Sequence, residues 1–210
     1  MRKRPVITSS AEMKIEVRPR PPEDRTLPHK WLTTESRQLF DRSNGSIDLF
    51  LSKLAEERIR NHALSKLNER LEVMGLLLGS VYEEDGRKFV LIRDVATTDL
   101  DASSVSVKFE RDGWEKLFQE LEDSCFHYVV VGWYHSHPGH RCFLSETDID
   151  TQVRMFNQPF HIALVIDPVN SEIATFYLKD GRVAERPFAV YWDQYQNPYY
   201  GESVKIRKKR

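Results

Sequence analysis

His135 and His137 stand two residues apart at the end of an apolar stretch, Tyr128 to Tyr134, and Pro138-Gly139 follows at once. Side chains alternate along a strand, so both imidazoles point to the same side, and the Pro-Gly pair breaks the strand just after them. A turn later, Ser145 and Asp148 open a helical pattern continued by Ile149, Val153 and Phe156, which can return a carboxylate to the two imidazoles. Two neutral imidazoles and one carboxylate make three protein ligands for zinc. The fourth position is then left for water, as in catalytic rather than structural zinc sites.

Each piece also has a plainer reading. Ser145-x-x-Asp148 alone is a helix capping box, and a histidine pair at a strand end can be a satisfied surface pair. The two patterns occurring together at this spacing favour the metal, and Ser145 can serve as cap and as site residue at once. His161, at the start of an apolar strand, and His127 read as packed residues; His29 and His62 lie outside the site. Trp133 shares the face of His135 and can wall the site or pack in the core.

The elements that must position these residues follow from periodicity. From Ser46 a stripe of Leu51, Leu54, Ala55, Ile59, Ala63, Leu64 and Leu67 predicts a helix running to about Asn68. Val73 to Ser80 and Lys88 to Ala96 predict two strands joined as a hairpin through Glu84-Asp85-Gly86. Ser103 to Phe109 alternates as a third extended stretch with one wet face. Asp112 and Glu115 cap a second helix carrying Trp114, Leu117, Phe118 and Leu121. Phe160 to Ile166 and Ile173 to Leu178 predict strands separated by the turn-forming Asp167-Pro168-Val169-Asn170-Ser171. Strands interleaved with two or three helices give an α+β order.

With 210 residues the chain suits one domain with extensions, and 40% hydrophobic with 30% charged residues at net charge −1 is ordinary globular chemistry. No apolar run reaches the roughly eighteen residues of a membrane span, and Met1-Arg2-Lys3-Arg4-Pro5 leads into no apolar signal core, so no membrane association is expected. Two cysteines, Cys125 and Cys142, are too few for a disulfide scaffold and point to a reducing, cytoplasmic setting. Both ends are basic. Without aromatic residues among those charges, solvated tails are expected rather than a nucleic-acid partner.

His135-Ser136-His137-Pro138 with Ser145-Glu146-Thr147-Asp148 resembles the JAMM signature of the MPN family of zinc-dependent isopeptidases. Leu71-Glu72-Val73-Met74-Gly75-Leu76-Leu77-Leu78-Gly79 resembles the family's first core strand with its glutamate, in the form of the proteasome-lid and signalosome members. The likeness runs from about Ile47 to Tyr191. It implies the MPN fold, a mixed β-sheet of cytidine-deaminase-like type flanked by about three helices, for a catalytic domain (46–192); the composition on either side reads as a basic Pro-rich extension (1–45) and a basic tail (193–210). It implies Zn2+ held by His135, His137 and Asp148, with Glu72 as general base and Ser145 as oxyanion partner. The substrate would be the isopeptide bond between ubiquitin, or a ubiquitin-like modifier, and a lysine, in connection with proteasomal degradation. The modifier's tail would add as a strand at Ser104, Val105, Ser106 and Val107, in the family's insertion after the second strand. A monomer or weak dimer is expected.

The resemblance gives His140 no ligand role and leaves it at the rim, and makes Cys142 a structural neighbour of the site. Some features depart from it. Phe143 and Glu146 replace a tryptophan and a glycine of the relatives, and Pro168 runs almost directly into the next strand where the proteasome-lid enzyme carries a second insertion. The alternative that the family allows is a non-catalytic MPN scaffold within a larger complex.

Overall fold

The computed structural model describes residues 23–24, 27–97 and 129–192. Among these residues nine strands form one mixed sheet: β1 (Glu23–Asp24), β2 (Leu49–Ser52), β3 (Met74–Glu84), β4 (Arg87–Thr97), β5 (Val129–Ser136), β6 (Ile162–Asp167), β7 (Glu172–Lys179), β8 (Arg182–Glu185) and β9 (Ala189–Tyr191). The order across it is β8-β7-β6-β5-β3-β4-β2-β9, with β1 alongside β3. Three α-helices accompany it among the described residues: α1 (Thr34–Arg42), α2 (Lys53–Ser65) and α3 (Glu146–Met155). This is the α+β architecture expected.

The hairpin β3–β4 closes as the Asp-Gly turn predicts. Asp85 and Gly86 both have positive φ, at 52° and 77°, the conformation that lets a two-residue turn follow the right-handed twist of its strands. β5 and β6 run parallel, so the chain between them must cross over, and α3 makes that crossover. The neighbours of β5 are therefore the antiparallel β3 and the parallel β6, and its site-bearing end is buried between them.

One residue of β5 falls outside the ladder. Leu77 pairs with Gly132 but Leu78 pairs with Val130, so Val131 is the extra residue of a bulge. Val131 packs with α2 on one face of the sheet, whereas Val130 and Trp133 pack on the other with Met74, Leu76 and Phe156. Gly132 is needed here because a Cβ would lie 1.9 Å from the Ile162 carbonyl oxygen of β6.

The first helix begins later than the periodicity suggested. Leu49, Phe50 and Leu51 are fully buried in succession, which a strand covered on both faces requires and an amphipathic helix does not. β2 lies between β4 and β9, parallel to both. Ser52 then caps α2, its hydroxyl accepting from the Leu54 and Ala55 amides at 3.2 and 3.4 Å. The buried stripe narrows to Ala55, Ile59 and Ala63, while Leu64 is 50% exposed.

Within the expected extension, residues 27–42 carry structure. Thr33 caps α1, the Ser36 hydroxyl accepts from the Val190 amide at 2.7 Å, and Leu32 is buried beside Tyr191 at the β9 edge. α1 thus stands among the three described helices. The helix expected after Asp112 and the extended stretch from Ser103 lie outside the described residues.

The narrowed stripe of α2 is testable by urea denaturation. Ile59→Ala is expected to cost about 2–5 kcal/mol as a buried cavity mutation, and Leu64→Ala about 0.5 kcal/mol or less. Equal losses would restore the broader stripe.

Candidate metal centre

The end of β5 delivers both histidines to the face that also carries Trp133. Between them Ser136 points the other way, its hydroxyl accepting from the Val73 amide at 2.9 Å while its own amide donates to the Val73 carbonyl at 2.9 Å. The His137 amide continues the parallel ladder to the Ile166 carbonyl at 2.9 Å. The site-bearing end is thus pinned from both sides. His135 is 1% and His137 5% exposed.

α3 supplies the carboxylate. Ser145 is its N-cap and the capping box is complete: the Asp148 amide donates to the Ser145 hydroxyl oxygen at 3.3 Å, and the Ser145 amide donates to Asp148 Oδ2 at 2.7 Å. The same hydroxyl donates to Asp148 Oδ2 at 2.6 Å. Held this way, Asp148 Oδ2 lies 3.4 Å from His135 Nε2 and 3.7 Å from His137 Nε2, and the two ring nitrogens are 3.1 Å apart.

These separations fit zinc. Donors at about 2.0–2.1 Å from a tetrahedral ion lie about 3.3–3.4 Å from one another, close to all three distances, and the nitrogen, nitrogen and oxygen set is one zinc accepts. The ring chemistry agrees. His137 Nδ1 faces the Arg141 carbonyl at 3.2 Å, and a carbonyl only accepts, so the proton sits on Nδ1 and neutral His137 turns a bare Nε2 toward His135 and Asp148. Charge also gathers favourably. Burial alone would lower the pKa of His137, but the Asp148 hydrogen bond and the Glu72 and Asp148 charges outweigh it and raise it. Burial opposes the Asp148 carboxylate, yet His135, His137 and Ser145 hold its pKa well below the usual range. The pocket therefore attracts positive charge.

Aromatic side chains wall the cluster. Trp133 stacks on His135 with ring centroids 4.6 Å apart and planes 13° from parallel, and Phe143 lies 4.7 Å from the His137 ring. Gln152, fully buried, accepts from Trp133 Nε1 at 2.8 Å and donates to the Phe156 carbonyl, also at 2.8 Å, so the wall itself is held.

Glu72 precedes β3 by two residues and is half-buried. Met74 pairs with His135, and Val73 bonds with Ser136, so the same register sets Glu72 against His137; its charge is among those acting on that ring. The structure thus brings Glu72, His135, His137, Ser145 and Asp148 to one place. Ser104, Val105, Ser106 and Val107 lie outside the described residues. His140 is exposed at the rim. His161 is packed against Phe156 and Phe160, and burial lowers its pKa to about 4. The Cys142 thiol donates to the Val165 carbonyl at 3.3 Å and burial pushes its pKa up, which argues against a thiolate near the site. Arg141, Gln152 and Asp167 support the cluster without being singled out for it by the sequence. Their roles run through backbone groups and ring stacking that no local spacing announces.

Residues 47–158 match the family model described as JAB1/Mov34/MPN/PAD-1 ubiquitin protease. Among curated proteins the chain is similar to COP9 signalosome complex subunit 5 of Debaryomyces hansenii, 32% identical over 155 residues, covering 71% of this chain and 30% of that one. It is also similar to 26S proteasome regulatory subunit RPN11 of Eremothecium gossypii, 37% identical over 126 residues (59% and 39%), and to COP9 signalosome complex subunit 5 of Drosophila melanogaster, 34% over 158 residues (72% and 44%). The chain spans less than half the length of these relatives. A solution structure of a Desulfitobacterium hafniense protein shares the fold with a TM-score of 0.52 at 21% identity, covering 69% of this chain and 94% of that one.

Elemental analysis after dialysis against zinc is expected to give one ion per chain, and His137→Ala is expected to lose it; full retention by the variant would remove His137 from the ligand set. A second expectation concerns acid. His161 is neutral when folded and takes up a proton more readily when unfolded, so its contribution is present above about pH 6.5 and lost as pH falls toward 4. The loss is about 3 kcal/mol at most. Urea midpoints for His161→Leu should fall less over this interval than those of the wild type; parallel curves would contradict it.

Proposed function

The chain belongs to the JAB1/Mov34/MPN/PAD-1 ubiquitin protease family, and from that premise we propose that it is a zinc-dependent isopeptidase cleaving ubiquitin, or a ubiquitin-like modifier, from a substrate lysine. The observation that carries this reading is the cluster of His135, His137 and Asp148 donors at tetrahedral-edge separations with Glu72 set against His137. Held there, zinc would lower the pKa of water to about 7 and polarise the scissile carbonyl.

The chain's own residues supply the rest. The Glu72 carboxylate takes the proton of the attacking water and returns it to the leaving lysine nitrogen, so that the amine departs neutral. The Ser145 hydroxyl, which here donates to Asp148 Oδ2, turns from that carboxylate to the developing oxyanion. Trp133 and Phe143 limit the access of bulk water and hold the imidazole planes. β4 ends at Thr97, which pairs with Gly75 three residues beyond Glu72, so the chain that follows departs from the site end of the sheet. That placement supports strand addition of the modifier's tail at Ser104–Val107.

The wider assignments belong to the same proposal. Residues 46–192 form the catalytic domain, onto whose sheet β1 and residues 27–42 of the N-terminal segment pack, 193–210 follow it as a basic tail, and the enzyme works in the cytoplasm, associated with machinery of the signalosome or proteasome kind. The relatives' names support that last point, as does, for the absence of membrane insertion, the lack among the described residues of a helix long and apolar enough to cross a bilayer.

Cleavage of a panel of lysine-linked modifier conjugates tests the reading. Chelation is expected to abolish turnover, and Glu72→Gln to retain zinc while losing about 10²–10⁴ in rate. Zinc bound without cleavage of any conjugate would favour the scaffold, and cleavage surviving chelation would sink the metal mechanism.

A further inference from the structure

Asp167 ends β6 with no surface of its own, and no step proposed above uses it. Its Oδ1 accepts from the amides of Gly139, Val169 and Asn170 at 2.9, 2.9 and 3.1 Å. Its Oδ2 accepts from the Arg141 amide and from Asn170 Nδ2, both at 2.7 Å. Three of these donors, the Val169 and Asn170 amides and Asn170 Nδ2, belong to the turn that Asp167 itself opens, as an aspartate commonly arranges. The Gly139 and Arg141 amides do not. They come from the loop that follows the histidines, 28 and 26 residues away in sequence.

The far side of that loop makes the connection. Arg141 receives Asp167 on its amide and offers its carbonyl to His137 Nδ1. Its φ is 65°, a left-handed conformation that a non-glycine residue keeps only when its surroundings hold it there. Its side chain is 76% exposed and, among the described residues, pairs at the surface with Glu172, so it is the backbone of Arg141 that carries the link. Connecting loops of this kind hold their carbonyls in place only where specific hydrogen bonds fasten them. A carboxylate with several converging donors does fix them, and the burial that raises its pKa is outweighed by the Gly139, Asn170 and Arg141 donors, which keep it ionised.

We propose that Asp167 is a positioning residue for the metal centre: through the backbone of Arg141 it orients the carbonyl that holds the Nδ1 proton of His137 and so presents the opposite nitrogen as a ligand. The carboxylate contacts neither the imidazole nor any donor of the cluster. It acts on the tautomer and plane of one ligand, in the way that outer hydrogen-bond partners set metal affinity. This rests on the metal-site reading above but adds a residue to it, and predicts an effect in the chain without metal.

The test uses the full chain, nitrogen-15 labelled, with and without zinc. In the metal-free wild type at pH 8, imidazole nitrogen shifts should report His137 as the Nδ1–H tautomer, and the Arg141 amide should exchange slowly despite its exposed side chain. Asp167→Asn, which places an NH2 against donors, should yield mixed tautomers and a zinc affinity lower by about 10–100-fold in competition with a chromogenic chelator. Asn170→Ala, which loosens the turn but leaves the Gly139 and Arg141 amides on the carboxylate, should keep both tautomer and affinity. The inference is overturned if Asp167→Asn retains wild-type tautomer and affinity, or if Asn170→Ala weakens zinc as much as Asp167→Asn does. Fast exchange of the wild-type Arg141 amide would overturn it however the variants fold. If the wild type binds no zinc at all, the isopeptidase reading fails, while the tautomer comparison still decides the role of Asp167.

Discussion

Two ring nitrogens 3.1 Å apart and a carboxylate oxygen 3.4 and 3.7 Å from them, all within a pocket shielded from solvent, repel one another as bare acceptors unless a proton or a cation lies among them. A proton can relieve part of this, and the raised pKa of His137 shows that the pocket draws one. A divalent ion relieves all of it, satisfying three lone pairs with one centre. The surrounding structure is arranged to keep these atoms from moving apart. β5 is hydrogen-bonded on both edges up to Ser136, and α3 begins where its capping box fixes Asp148. The start of α3 adds the partial positive charge of a helix N-terminus beside the carboxylate.

Ser145 joins two economies of the fold in one hydroxyl. As N-cap it accepts from the Asp148 amide, and as a donor it touches the Asp148 carboxylate. The sequence pattern that reads as a plain helix start and the one that reads as a site are here the same atoms. Replacing Ser145 would thus disturb helix initiation and the carboxylate together, with stability and chemistry changing in the same variant. The aromatic wall shows a similar economy, since the stacking of Trp133 on His135 depends on a buried amide, Gln152, that also fastens the end of α3 to the Phe156 carbonyl.

The site was more legible in the sequence than the fold around it. His135 and His137 could be placed on one face because a strand has period two, and Ser145 and Asp148 because a capping box has a fixed spacing. Glu72 needed the family resemblance, since nothing local separates it from a solvent-facing strand residue. Leu49 to Leu51 misled because a short apolar run fits a buried strand and a buried helix equally well, and only its neighbours β4 and β9 decide between them. Asp167 was visible as a turn former and not as a support for the histidine loop, because its decisive partners come from 26 and 28 residues away. Residues 98–128, which include Ser104 to Val107, lie outside the described structure.

The bulge at Val131 has a bearing on how this strand tolerates change over evolutionary time. On its N-terminal side the surplus residue works as slack: losing it would straighten the ladder and leave Trp133, His135 and His137 looking the same way. Past Gly132 there is none, and a single deletion there would rotate both imidazoles into the hydrocarbon beneath α2. Lineages carrying this fold should therefore vary in spacing upstream of the glycine and keep strict count after it.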